Sequence, residues 1–196
     1  MIRLALLRHG VTDWNRERRL QGRADVPLSA AGAAAMAGLR LPRHLDGARI
    51  YCSPLQRARQ TAALLGCAEP IIEPRLIEMD WGDYEGRTIA ELRAESDAPM
   101  AANEARGLDF RPPGGESPRE MQHRLRAWLA EIAVGDRPAV AVTHKGVIRA
   151  LLALAYDWDM QGRQPLKLDW SRLHGFDVAR DGSLHPGPCN IALETP

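Results

Sequence analysis

The chain has 196 residues, which suits one domain and is long enough to bury roughly 70 % of its unfolded surface. It is 45 % hydrophobic and 26 % charged, with 26 basic against 25 acidic side chains, and the net charge of +1 excludes bulk electrostatic attraction to nucleic acid or to a membrane surface. Cys52, Cys67 and Cys189 are odd in number and lack metal-ligand spacing, which argues against a disulfide framework and a zinc knuckle.

The amino terminus carries no signal-peptide pattern, and no apolar run approaches the roughly 18 residues of a membrane span, so a cytoplasmic location is expected. The apolar run Ile2 to Leu7 reads as a buried strand that ends abruptly in Arg8, His9 and Gly10. The polar stretch Val11 to Pro27 reads as a long loop, and loops of that length in compact domains are functional or disordered. Ser29 is placed to cap an alanine-rich helix from Ala30 to Leu41, ended by Pro42.

Ala48 to Cys52 is a short strand, and Ser53-Pro54 then opens a helix, with the Ser53 hydroxyl as cap, through Gln56 to Leu65. Ile71 and Ile72 belong to a third strand, and Leu76 to Gly86 is an acidic, glycine-bounded loop. Thr88 with Glu91, and Ser117 with Glu120, form two capping boxes. The first opens a short helix and the second a longer one through Ala133, with Asp97 to Gly115 irregular between them.

Pro138 to Thr143 is nearly all apolar, as a parallel strand covered on both faces should be, and His144-Lys145-Gly146 then leads into an apolar helix, Val147 to Tyr156. From Leu173 onward short strands follow, with Asp181-Gly182 offering a hairpin turn. Strands alternating with helices imply a three-layer α/β/α domain over 1–196, with a mainly parallel central sheet. The segment 89–111 would be a small helical cap insertion.

Three strand ends resemble one another. The first delivers Arg8 and His9, the second Ser53 with Arg57 one turn later, and the strand ending at Thr143 delivers His144. In a parallel sheet these ends share the edge where open α/β sheets bind their ligands. Two arginines and two histidines converging there suit a phosphoryl group, because guanidinium forks match phosphate oxygens bidentately. Asn15 can add a neutral donor from the following loop.

Leu7-Arg8-His9-Gly10 with Thr12, Trp14 and Asn15 resembles the signature of the histidine phosphatase superfamily, the group that contains the cofactor-dependent phosphoglycerate mutases. Further stretches fit in order: Gln21-Gly22, Leu28-Ser29, Ser53 to Ala62, Glu78 with Glu85-Gly86, Pro113 to Ser117, and Thr143-His144 with Gly146. The resemblance implies that His9 is the nucleophile that becomes phosphorylated, that Arg8, Asn15, Arg57 and His144 hold the phosphate together with Gln21 and Gly22, and that Glu78 is the proton donor. It implies neither metal nor cofactor, and a small phosphomonoester as partner; a homodimer is a further expectation.

A neutral imidazole can attack phosphorus if its other nitrogen donates to a backbone carbonyl, and Glu78 needs a raised pKa to serve as an acid. Asp80, Asp83 and Glu85 are rival acids, although Glu85 can equally bond backbone and shape its loop. Lys145 stands where small residues are usual and either adds charge or points to solvent, with solvent favoured. Arg23 and Arg59, and the cap arginines Arg93, Arg106 and Arg111, are either anion contacts or surface residues. Trp14, Trp81 and Tyr84 either wall the entrance or belong to the core.

Cys52 is separated from Arg57 by four residues and not by the five that a cysteine-dependent phosphatase needs, and Asp157-Trp158-Asp159 follows a helix, not a first strand. Three readings of the resemblance remain, a phosphatase, a phosphoglycerate mutase and an α-ribazole phosphatase of cobalamin assembly. Phosphoglycerate mutases are typically longer, with a more basic stretch after the acid, whereas Trp81 to Arg87 here looks more like the phosphatase branch. A fourth reading, from another class, is a phosphate-binding regulatory protein without turnover.

Overall fold

A computed structural model describes residues 1–195. Its six strands are β1 (Ile2–Arg8), β2 (Arg49–Cys52), β3 (Ile71–Ile72), β4 (Ala139–Thr143), β5 (Leu173–Val178) and β6 (Leu184–Ile191), in the spatial order β3-β2-β4-β1-β5-β6. The first four run parallel, and β5 and β6 add an antiparallel edge. The fold is thus α/β with a mainly parallel sheet.

Alternation along the strands explains the layers. Leu4 and Leu6 of β1 and Ala139 and Ala141 of β4 pack into one core with α5 (Pro118–Ala133) and α6 (Lys145–Ala155). Their neighbours Ala5, Leu7 and Val140 face the opposite side with Met36, while Val142 packs with Ala58 and Ala62. Those partners belong to α2 (Ala30–Met36) and α3 (Gln56–Leu64). Successive side chains of a strand point to opposite faces, so an apolar run without alternation is buried twice.

Four local expectations change. The stretch after β1 contains a one-turn helix, α1 (Asp13–Arg16), which Thr12 and Asn15 close with a capping box. Helix α2 ends at Met36, short of Leu41, because the chain turns through Gly38 at φ +82°. The helix after Ser53 starts at Gln56 with Leu55 at the N-cap position, and the Ser53 hydroxyl accepts from Leu55 N–H only at 3.4 Å while making a shorter bond to His144.

The fourth change is in the segment expected to be irregular after Asp97. Helix α4 (Ile89–Glu104) runs into its first part, broken at Ser96 (φ −158°, ψ 67°), whereas the rest, 105–115, holds no α-helix or strand, as expected. The break puts Pro99 in the first turn of the second half, where a missing N–H costs nothing. Both predicted capping boxes are present, at Thr88 and at Ser117, the latter with Pro118 at the helix start.

Candidate active site

Strands β2, β4 and β1 are neighbours in the sheet, so the three polar strand ends lie side by side. Arg8 is in register with Thr143, His9 N–H donates to the Thr143 carbonyl at 2.9 Å, and Ser53 N–H donates to Val142 at 3.0 Å. The His9 and His144 rings approach with centroids 5.1 Å apart. Arg8, His9, Asn15, Gln21, Glu78, Lys145 and Arg149 line one cleft of about 690 Å³.

His9 Nδ1 lies 2.7 Å from the Gly10 carbonyl oxygen. A carbonyl only accepts, so Nδ1 carries the hydrogen and Nε2 keeps its lone pair. Burial, reinforced by Arg8 and Arg57, holds the His9 pKa well below its usual value. His144 is fully buried, with Nε2 2.7 Å from Ser53 Oγ, and burial likewise depresses its pKa, with His9 and Arg57 adding to the effect.

Arg57 is fully buried and donates from Nη1 to the Ala24 carbonyl and from Nη2 to the Gly22 carbonyl, each at 2.8 Å. Its Nε, and the Nε of Arg8, are buried without a partner. Buried guanidinium N–H groups without acceptors are costly in isolation and are fitted to an anion.

Glu78 is buried, and its carboxylate accepts from Met79 N–H at 2.9 Å and from Gly146 N–H at 3.1 Å. Burial raises its pKa, an effect those two backbone donors partly offset. A Cβ on residue 146 would stand 2.3 Å from Glu78 Oε1, so a glycine is required for the carboxylate to rest on the first turn of α6. The rival acids are otherwise engaged: Asp80 accepts from Gly82 N–H at 2.9 Å, and Glu85 accepts from the backbone of Gly22, Arg23 and Ala24. Asp83 is exposed and does not line the cleft.

Asn15 and Gln21 belong to one small network. Asn15 Oδ1 accepts from Thr12 N–H at 3.2 Å, and Gln21 Oε1 accepts from Thr12 Oγ1 and Asn15 Nδ2. Gln21 Nε2 is left buried without an acceptor at the cleft wall. Gly22 has its N–H taken by Glu85 and its carbonyl by Arg57, and like Arg57 and His144 it is not among the residues that line the cleft. Its part is spatial, because a Cβ there would meet the Met79 carbonyl at 2.6 Å.

One contributor, Arg124, had no recognisable signature in sequence. Arg124 of α5 donates to the carbonyls of Arg75 and Ile77, the latter at 2.7 Å, and is itself held by Glu116 at 2.8 Å. Arg23 donates to the Glu78 carbonyl at 3.1 Å. Together they clamp the segment that carries Glu78. Lys145, expected toward solvent, is exposed yet lines the cleft, with Nζ 5.3 Å from the Trp170 ring centre.

Arg16, Arg18 and Arg19 line the cleft, whereas Arg93, Arg106 and Arg111 do not. Arg59 is exposed and also stays outside. Trp81 reaches the cleft; Trp14 and Tyr84 do not. No group of three or more His, Cys, Asp or Glu side chains suited to a metal ion occurs among the described residues. Among those residues, too, no helix is long and apolar enough to cross a membrane.

Comparison with known proteins agrees with this geometry. The pattern of the histidine phosphatase superfamily (branch 1) matches residues 4–183. The chain is 35 % identical over 189 residues to the bifunctional protein Rv2228c of Mycobacterium tuberculosis, covering 92 % of this chain but 51 % of that protein, so it spans about half the length of that relative. It is 39 % identical over 153 residues to a probable phosphoglycerate mutase GpmB of Salmonella paratyphi C, covering 74 % of this chain and 70 % of the relative.

Among solved structures, TTHB049 from Thermus thermophilus is similar with a TM-score of 0.73 and 32 % identity, over 97 % of this chain and 100 % of that one. The mycobacterial glucosyl-3-phosphoglycerate phosphatase Rv2419c in complex with VO3 is similar with a TM-score of 0.75 and 29 % identity, over 98 % of this chain and 100 % of that one. The fold, the strand-end histidines and the match along most of the sequence lead to one conclusion: the chain belongs to the histidine phosphatase superfamily, branch 1.

Proposed function

We propose that this chain is a phosphatase that hydrolyses a small phosphomonoester through a phosphohistidine on His9, without a metal ion. The observation that carries the proposal is the bond from His9 Nδ1 to the Gly10 carbonyl, which leaves Nε2 unprotonated in a cleft shared with Arg8 and Glu78. His9 Nε2 forms a bond to phosphorus as the ester P–O bond breaks, and the leaving oxygen takes the proton of Glu78. Water then attacks phosphorus and gives its proton to the Glu78 carboxylate. The N–P bond breaks, releasing inorganic phosphate and neutral His9.

Charge requirements support this assignment of roles. Arg8, Arg57 and His144 surround the place where negative charge spreads over the equatorial oxygens, which is the main demand of phosphoryl transfer. Gln21 Nε2 and Asn15 add neutral donors. The raised pKa of Glu78 favours the protonated form needed at the leaving oxygen.

A second reading, transfer of the phosphoryl group between hydroxyls of a phosphoglycerate, draws on the similarity to probable phosphoglycerate mutases. One screen tests both. Hydrolysis of phosphomonoesters, glucosyl-3-phosphoglycerate among them, is measured beside 3- to 2-phosphoglycerate interconversion, and rapid quench looks for an acid-labile, base-stable phosphoenzyme. Hydrolysis with a His9-dependent adduct is expected. Interconversion without net phosphate release would replace the phosphatase reading by the mutase, and no adduct with any substrate would overturn both.

A further inference from the structure

Beside the cleft lies a second cavity of about 280 Å³. The two adjoin across Trp81, Ile89, Glu104, Gly146 and Arg149, which line both. Gly146 is also the residue whose N–H holds the Glu78 carboxylate at 3.1 Å. The chamber therefore opens on the acid side of the cleft.

Its walls differ from those of the cleft. Met79, Met100, Met121 and Met160, four of the six methionines in the chain, line this one chamber, and Phe110 joins them against Trp81 at a ring separation of 5.8 Å. The four come from four separate parts of the chain: the loop that carries Glu78, α4, α5 and the turn after α6. Methionine is unbranched and polarisable, and suits surfaces that must adapt to an apolar guest. Met160 also sits in the left-handed region at φ 64°, which glycine would occupy more easily, yet it carries a long side chain into the wall.

We propose that this methionine chamber receives the alcohol portion of the substrate, and that the substrate is a phosphomonoester of an alcohol with an apolar body. The inference rests on the phosphatase reading, which puts the leaving oxygen at Glu78 and hence at the chamber mouth. A cavity of about 150 Å³ accepts benzene, so this one accommodates a bicyclic ring system or a branched chain of comparable size. Glu104 and Arg149 at the junction are polar and suit a hydroxyl or amide close to the ester oxygen. A phosphoglycerate would leave the chamber empty.

The test uses two homologous series on the full chain, n-propyl to n-heptyl phosphates as substrates and the matching alkylphosphonates as non-hydrolysable ligands. Within each series the leaving or binding group is electronically constant, so only apolar length varies. Phosphonate affinity and kcat/KM are expected to rise about fourfold per methylene until the chamber is full. Met160→Gly, which suits the backbone, should flatten that slope while the Tm stays unchanged within about 2 °C.

Turnover of the phosphates with no dependence on length would overturn the chamber assignment and leave the phosphatase reading intact. A length-dependent phosphonate affinity without turnover would do the reverse. An unchanged slope in Met160→Gly would also overturn it, because the apolar chain would then be seated elsewhere.

Discussion

The proposed phosphate cradle and the α4 segment beside it are held by different forces. In the cradle, Arg57, His144 and Ser53 are fully buried and His9 nearly so; most of their polar atoms bond backbone carbonyls or one another, and Arg57 Nε and His144 Nδ1 are left without a partner. In α4 only Leu92 and Met100 are buried, the helix breaks at Ser96, and charged side chains pair at the surface, as Arg93 does with Glu104 at 2.7 Å and Arg87 with Glu95. Buried groups fixed by backbone have one geometry, while exposed pairs are worth less than about 1 kcal/mol and leave their helix adjustable. The proposed chemistry thus rests on the fixed part, while the adjustable α4 lends the proposed chamber only Ile89, Met100 and Glu104 of its walls.

The hardest test of that division is His9→Ala. Removing the proposed nucleophile should lower kcat by about 10⁵-fold or more and abolish the quenched phosphoenzyme. Retention of the adduct would move the covalent step to another residue and dissolve the contrast. Next comes Glu78→Gln, which should cost about 10² to 10⁴ in kcat with alkyl phosphates and less with activated aryl phosphates. Because burial raises the Glu78 pKa, the alkaline limb of the rate profile should lie above the ordinary carboxylate range and disappear in that variant.

Arg57→Met should lower kcat by about 10² to 10³ and also destabilise, since the Gly22 and Ala24 carbonyls lose their donors at a cost of about 1–3 kcal/mol each. Urea denaturation separates the two effects. The cradle also predicts a pH dependence of stability. His9 and His144 stay neutral when folded but protonate in the unfolded chain below about pH 6.5, so stability should fall as pH drops through that value. In His144→Gln the fall should be shallower, a difference that denaturant midpoints between about pH 7.5 and about pH 5.5 would register.

The smallest effect belongs to the other region. Arg93→Ala removes one exposed pair and should move the Tm by no more than about 2 °C. A large loss there would mean that α4 is as rigid as the cradle.

The site was legible where chemistry sits at a strand end. Arg8-His9-Gly10, Ser53 to Arg57 and Thr143-His144-Gly146 each follow an apolar run, and β1, β2 and β4 prove to be neighbours. Glu85 shows the same legibility in a loop, since its carboxylate bonds three successive backbone amides. The sequence puts the Ser53 hydroxyl at its own helix start, where it accepts from Leu55 N–H at 3.4 Å, yet its shorter bond, at 2.7 Å, is to His144, 91 positions away. Local preference yields when a buried imidazole nitrogen needs a partner.

By itself the sequence determined the parallel sheet and the edge on which two histidines and two arginines meet. Strand period, caps and polar strand ends are local patterns, and a parallel sheet sends all such ends to one side. Only the tertiary structure decided that Arg124 and Arg23 clamp the Glu78 segment, that Gly22 serves by its small size, and that four distant methionines form one chamber. These depend on how α4, α5 and the loops pack over the sheet, and packing between remote segments leaves no period in the sequence.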